Sequence, residues 1–287
     1  TLFRSRHDMT KNASSQATTE QQLLAGVVLS GIGGSGKSTF TLTVADLAEV
    51  AGLNLDMLQF DHQSKLSETL GRDIITLDSA IARKSRSNPD AIVELFEPFT
   101  DRLASLRDTK RGLLMEVGGG LTPIFHDHNR LVDLNEDLVD LGVHLTVFLV
   151  VLATPEAIGQ ATNELDRLKE ILPDARVVVV ENRWRGAVAE MLPYLDDPVR
   201  KRTKRMLGDY PVLVMPRVEG TSLRHAERVH ARLIDIIDWD LATVMEKTGL
   251  KRGAARLMRG DVAAYLAAME SGLANVLPML GSGVGHE

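Results

Sequence analysis

The sequence predicts an α/β fold: a doubly wound, mostly parallel sheet with flanking helices and a helical C-terminal appendage. Six short apolar runs, rich in β-branched residues, recur along the chain. They are apolar on both faces, as strands covered by helices on each side must be. The segments between them are long enough for crossover helices. With 287 residues, 44% hydrophobic and 25% charged, the chain can form one large domain of this kind plus an appendage.

In chain order, Leu23 to Ser30 is the first strand, and the glycine-rich turn after it opens a helical run from Ser38 to Gly52. Leu53 to Phe60, Gly112 to Val117, His144 to Ala153, Arg176 to Glu181 and Pro211 to Met215 are the later strands. After the fourth of these runs, Thr154 and Pro155 have the chemistry of a helix cap and first turn. Residues 1–20 are polar and read as a flexible tail, with Met9 as an alternative start; 21–239 form the domain and 240–287 the appendage. No internal repeat is visible.

Composition excludes several classes. The longest apolar run, Leu145 to Ala153, is about half of the ~20 residues a helix needs to cross a bilayer, so a buried strand explains it. The absence of cysteine excludes disulfides and thiolate metal sites and fits a cytoplasmic location. A formal charge of −6 opposes a surface coated for polyphosphate chains, leaving only local basic patches.

The stretch "GIGGSGKSTF", Gly31 to Phe40, completes the pattern GxxxxGK[ST] between a predicted strand and a predicted helix. Glycines let successive N–H groups of Gly33, Gly34, Ser35, Gly36, Lys37, Ser38 and Thr39 turn toward phosphate oxygens. The helix start adds its positive dipole end. Lys37 supplies a mobile charge for the outer phosphates, and the Ser38 hydroxyl can ligate Mg²⁺. These features make a P-loop nucleotide-binding fold without choosing among ATPases, GTPases and small-molecule kinases.

Asp61, His62 and Gln63 end the second run, followed by Leu66 and Leu70-Gly71. Together with the cradle, this segment resembles the ParA/MinD family of ATPases, over roughly residues 23–238. The resemblance implies ATP as ligand, Asp61 as the group that orients the attacking water and supports the magnesium shell, and Glu116 as the acid that binds Mg²⁺ through water. Family members carry aspartate at that last position. The extra methylene of Glu116 carries its carboxylate about 1.5 Å further, which implies slower hydrolysis. Asp61 could alternatively cap a helix starting near Ser64. Gly118, Gly119 and Gly120 could approach the γ-phosphate and switch between states, or form a plain loop.

At the base end, the resemblance places Asn182 against the adenine edge, with Pro216 and Arg217 packing on the base. A turn-satisfying asparagine is the alternative. One departure stands out. Where the family's variant cradle carries a second lysine that reaches across an ATP-bound dimer, this chain has Ile32, so a nucleotide-dependent homodimer carries low weight.

Partner signals are basic segments. "RKRTKR", Arg200 to Arg205, and Lys247, Lys251, Arg252, Arg256 and Arg259 beyond it could grip DNA without reading sequence, or could be solvated helix faces. Gly249 sits in a turn of helix-turn-helix size, while Leu250, Ala254, Ala255, Leu257 and Met258 suggest a packing face. "HDHN", His126 to Asn129, lacks matching metal ligands, and Asp133 to Asp140 reads as a wet helix face. The expectation is a Mg²⁺-dependent ATPase with a protein partner, serving plasmid or DNA segregation or conjugative transfer. The rivals are a small-molecule kinase, with "ARKSRS" (Ala82 to Ser87) as its lid, and a nucleotide-gated module that does not hydrolyse.

Overall fold

The structure, a computed structural model, describes residues 23–61, 65–71, 74–77 and 88–277. The tail, His62, Gln63, the Ala82 to Ser87 segment and the last ten residues lie outside the described residues. Strands β1 (Ala25–Leu29), β2 (Leu55–Phe60), β3 (Ile75–Thr76), β4 (Gly112–Val117), β5 (Leu145–Leu152), β6 (Arg176–Asn182) and β7 (Val212–Met215) form one sheet. Its order is β3-β2-β4-β1-β5-β6-β7, and every pairing is parallel. All six apolar runs become strands, with ends shifted by at most two residues. The seventh, β3, has two residues, too few to leave a period.

The helices are α1 (Lys37–Val50), α2 (Lys65–Leu70), α3 (Pro89–Thr109), α4 (Thr122–Leu131), α5 (Leu134–Leu141), α6 (Pro155–Ile171), α7 (Asp197–Asp209), α8 (Ser222–Arg228), α9 (Leu233–Asp238), α10 (Leu241–Thr248) and α11 (Arg252–Val276). Their starts follow from local chemistry. Asn88 accepts from the Asp90 N–H (3.2 Å) before α3, Thr154 from the Ala157 N–H (3.3 Å) before α6, and Asp196 from the Val199 N–H (2.9 Å) before α7. A proline sits in the first turn of all three.

Two apolar layers sandwich the sheet. Val27, Leu29, Phe60, Met115 and Val151 face α3 to α7, where the Phe60 and Phe96 rings meet edge to face at 4.9 Å. Val28, Phe148 and Val180 face α1 and α8 to α11. β-branched, two-sided strands are what such a sandwich requires. α5 buries only Leu134 and Leu138 and turns its acidic residues to solvent. Among the described residues, no helix is long and apolar enough to cross a membrane.

The C-terminal region becomes one short helix and one of 25 residues. Gly249, at φ 71°, ends the first of them. α11 buries Ala255, Met258, Val262, Tyr265, Leu266, Met269, Leu273 and Val276 in the same cluster as α1. This corrects the predicted packing face: Ala255 and Met258 are inside, but Ala254 is exposed and Leu257 is 64% exposed. The inward stripe continues about five turns beyond Met258, to Val276, and sets the rotation of the helix.

Candidate functional site

The cradle lies where β1 ends. Gly34 (φ 68°) and Gly36 (φ 93°) take left-handed backbone that a side chain would strain, and α1 begins directly after them. The loop is tied together from within. The Ser30 hydroxyl donates to the Ile32 carbonyl (2.6 Å) and lies 2.8 Å from the Ser35 hydroxyl, while Lys37 Nζ reaches Ser30 Oγ at 3.4 Å. The first N–H groups of α1 have no intrahelical acceptor and so face an anion naturally. Lys37 is only 6% exposed. Burial lowers its pKa, and the nearby carboxylates of Glu116 and Asp61 counteract that.

The carboxylates arrive from the two strands on one side of β1. β4 brings Glu116 next to β1, and Asp61 directly follows β2, one strand further out. Ser38 Oγ donates to Glu116 Oε1 at 2.7 Å. The Thr41 hydroxyl donates instead to the Lys37 carbonyl (3.0 Å), and among the described residues Glu116 Oε2 is buried without a hydrogen-bond partner. Burial raises the Glu116 pKa, opposed by the Ser38 hydroxyl and the Lys37 charge and reinforced by Asp61. A hydroxyl, a buried carboxylate with a spare oxygen and a second carboxylate nearby form an all-oxygen donor set, which suits a hard divalent cation such as Mg²⁺.

The triple glycine closes over this arrangement. The Gly118 N–H donates to the Phe60 carbonyl at 2.7 Å, and a Cβ on Gly118 would come within 2.9–3.1 Å of all three Asp61 carboxyl atoms. A Cβ on Gly119 would meet the Ile32 carbonyl group at 2.8–2.9 Å. Only bare backbone fits between Asp61 and the cradle. Ile32, in place of the second lysine, takes part here through its backbone. Gly31 is equally tight, since a Cβ there would reach Gln160 of α6 at 2.5 Å.

Beside the cradle, a cavity of about 380 Å³ opens toward the ends of β6 and β7 and α8. This falls within the roughly 300–1,000 Å³ of small-molecule sites. Asn182, Pro216 and Arg217 line it, as do Gly34, Gly36, Ser38 and Thr39. Both ends of the Asn182 amide meet protein: Nδ2 donates to the Ser35 carbonyl (2.8 Å), and Oδ1 accepts from the Trp184 N–H (3.0 Å). Sequence reasoning missed Trp184, Leu223 and Arg224, which line the same cavity. The visible signal was an aromatic in a polar turn after a strand.

The remaining candidates lie elsewhere. On α7, Arg200 pairs with Asp197, and Arg202 with Asp166 (3.0 Å) and Asn163 (2.6 Å), leaving Lys201, Lys204 and Arg205 on the exposed side. In the C-terminal helices, Arg259 donates to the Ile237 carbonyl (2.9 Å) and Lys247 lies over the Trp239 ring, while Lys251, Arg252 and Arg256 are exposed. His126 is buried against Glu164, and His128 stacks on Phe96. Among the described residues, no group of three or more His, Cys, Asp or Glu side chains could hold a metal ion.

No protein-family model matches the chain, and no curated protein matches its sequence. Solved structures do. The septum site-determining protein MinD of Pyrococcus horikoshii OT3, complexed with Mg-ADP, is similar over 92% of this chain and 100% of that one, at 14% identity and a TM-score of 0.50. The MinD cell division protein of Aquifex aeolicus is similar over 82% of this chain and 97% of that one, at 13% identity and a TM-score of 0.46. The Aquifex aeolicus MinC:MinD complex gives 82%, 96%, 14% and 0.46 for the same quantities. With its seven parallel strands in P-loop order and helices on both faces, this chain has the fold of a MinD-type P-loop protein.

Proposed function

We propose that the chain is a Mg²⁺-dependent, nucleotide-switched ATPase of the ParA/MinD type. The observation behind this is the buried meeting of Lys37, Ser38 and Glu116 at the mouth of the cradle. A carboxylate oxygen without a donor and a desolvated ammonium are costly to bury alone, and a magnesium-bound phosphate would satisfy both. The complex of Pyrococcus horikoshii MinD with Mg-ADP, on the same fold, supports the same ligand class.

In this reading the N–H groups of Gly33 to Thr39 and the Lys37 ammonium hold the phosphates. Ser38, Glu116 and Asp61 would hold magnesium, which when bound neutralises phosphate charge. Asp61 orients the attacking water by hydrogen bonding. The Gly118 to Gly120 loop, with Gly118 against Asp61 and Gly119 against the cradle, registers what occupies it and passes that change to a partner surface. Asn182, Pro216 and Arg217 wall the base end.

We assign the cell biology by analogy with the family: a cytoplasmic role in DNA segregation or conjugative transfer with a protein partner. The exposed Lys201, Lys204 and Arg205, or Lys251, Arg252 and Arg256, would supply salt-sensitive DNA contacts. Phosphate release with and without DNA, beside a screen for phosphorylated small molecules, separates an ATPase from a kinase. Asp61→Ala should bind ATP and not turn it over. Absence of affinity for any purine triphosphate with Mg²⁺ would overturn the reading, and sizing with ATP tests the homodimer.

A further inference from the structure

The run His126 to Asn129, which the nucleotide site does not use, lies on α4 in the layer shared with α6. His126 is 2% exposed and Glu164 of α6 is 4% exposed, and the imidazole Nε2 meets the Glu164 carboxylate. Arg167, on the same helix as Glu164, stands 4.0 Å from its other oxygen and is mostly in solvent. His126 Nδ1 is buried without a hydrogen-bond partner among the described residues, so the bond through Nε2 is what offsets the cost of burying a polar ring. Such a pair adds little net stability over apolar side chains of similar size, and its best-attested use is to fix the register of packed elements.

The pair closes a ring of contacts around the glycine loop. The Gly118 carbonyl accepts from the Leu121 N–H at 2.9 Å and from the Thr122 hydroxyl, at the start of α4, at 3.4 Å. Gly118 lies against the Asp61 carboxyl group, as the 2.9–3.1 Å left for a Cβ shows. On α6, Gln160 stands one helical turn before Glu164 and on the same face, and its Cβ is the atom that a Cβ on Gly31 would meet at 2.5 Å. α6 thus packs on the start of the cradle with one residue and holds α4 with the next on that face.

We propose that His126 is a positioning residue for Asp61. Its bond to Glu164 sets the register of α4 on α6, and through Thr122, Leu121 and Gly118 that register places Asp61 relative to the cradle. This rests on the ATPase reading above and adds to it a second support for the group that orients water.

Replacing both partners, His126→Leu with Glu164→Met, leaves neither of them as an unpaired buried polar group, so the double variant should unfold at the same urea concentration as wild type or higher. ATP with Mg²⁺ should bind it within about twofold of wild type, while phosphate release falls roughly 10- to 100-fold, as for a group misplaced by about 1 Å. Glu164→Gln keeps an acceptor for the imidazole and should hold phosphate release within about threefold. In hydrogen exchange without nucleotide, the Leu121 amide should open about tenfold more readily in the double variant, with the α1 amides unchanged. Full phosphate release in the double variant overturns the proposal. So does a double variant in which stability, ATP affinity and turnover fall together, the mark of a pair that only supports the fold. If wild type itself releases no phosphate from ATP, the ATPase reading fails separately; faster exchange at Leu121 then still supports the register role, and unchanged exchange overturns it.

Discussion

Replacing the three loop glycines by alanine, one at a time, separates space-filling at the switch from a general loss of loop flexibility. None of the three lies in the left-handed region, so alanine strains no torsion, and the outcome depends on what the new methyl meets. At Gly120 it meets nothing within 4 Å among the described residues, and stability and turnover should stay within about 0.5 kcal/mol of wild type. At Gly118 it meets the Asp61 carboxyl group at 2.9–3.1 Å. Ordinary carbon contacts are about 3.5–4.0 Å, so the carboxylate must retreat by roughly 0.5–1 Å. A side-chain end can move, so folding should hold. A catalytic group misplaced by about 1 Å loses on the order of a hundredfold in rate, so turnover should fall 10- to 100-fold, roughly, at unchanged ATP affinity. At Gly119 the methyl meets backbone of the cradle at 2.8–2.9 Å, which cannot rotate away. That variant should lose about 1–3 kcal/mol of stability and weaken ATP as well. Urea unfolding, ATP titration and phosphate release measure the three effects. Equal losses in all three variants, or full turnover in Gly118→Ala, would refute the reasoning.

Three further outcomes follow from buried contacts. Lys37→Ala removes a charge-assisted phosphate contact and should weaken ATP roughly 10- to 150-fold by titration; unchanged affinity would remove Lys37 from the site. The buried Tyr265 hydroxyl lies 3.2 Å from that of Thr43, so Tyr265→Phe should cost about 0.5–1.5 kcal/mol in urea unfolding, and no cost would mean the pair contributes nothing. Burial pushes the Asp46 carboxyl from 3.8 up to about 6, opposed by Arg232 and the N–H groups of Ile234 and Leu233. A raised carboxyl binds its proton more tightly in the folded state, so its contribution to stability is complete below the unfolded value and lost as pH rises through about 6. Relative to Asp46→Asn, wild type should gain about 2 kcal/mol between pH 7 and pH 4, whereas parallel pH profiles would reject the shift.

What could be read from the sequence was local. GxxxxGK[ST] lies in eight consecutive residues whose backbone does the binding, so the cradle was visible without any tertiary knowledge. Strands buried on both faces announce themselves equally well. The rotation of α11 was not visible. Leu250, Ala254 and Leu257 share one helical face, and Ala255, Met258 and Val262 another, so a window ending near Met258 offers two apolar stripes. Only Tyr265, Leu266, Met269 and Leu273, two to four turns later, choose between them. Trp184 and Arg224, on the same cavity as Asn182, Pro216 and Arg217, were missed for a different reason. Trp184 and Arg224 are forty residues apart and meet only because β7 delivers α8 beside the turn after β6.

The same tertiary connections anchor the cradle more firmly than the glycine loop beside it. α1, whose first turn forms the phosphate end, is bonded along its length into the C-terminal layer. Thr43 meets Tyr265 of α11, and Asp46 accepts from Arg232 (2.9 Å) and from the Leu233 N–H (3.0 Å) at the start of α9. Glu49 accepts a second bond from Arg232 at 2.6 Å. All but the exposed Glu49 bond are buried or half-buried, and all are directional, so sliding α1 along the sheet would break several at once. Gly118 to Gly120 have no side chains to anchor them, and α4 just beyond belongs to the opposite layer, where His126 meets Glu164 of α6. A change in what fills the cradle is therefore resisted on the α1 side and taken up on the glycine side. Residues 240–277, although basic and appended in sequence, complete the core under α1 and so help hold the phosphate end in place.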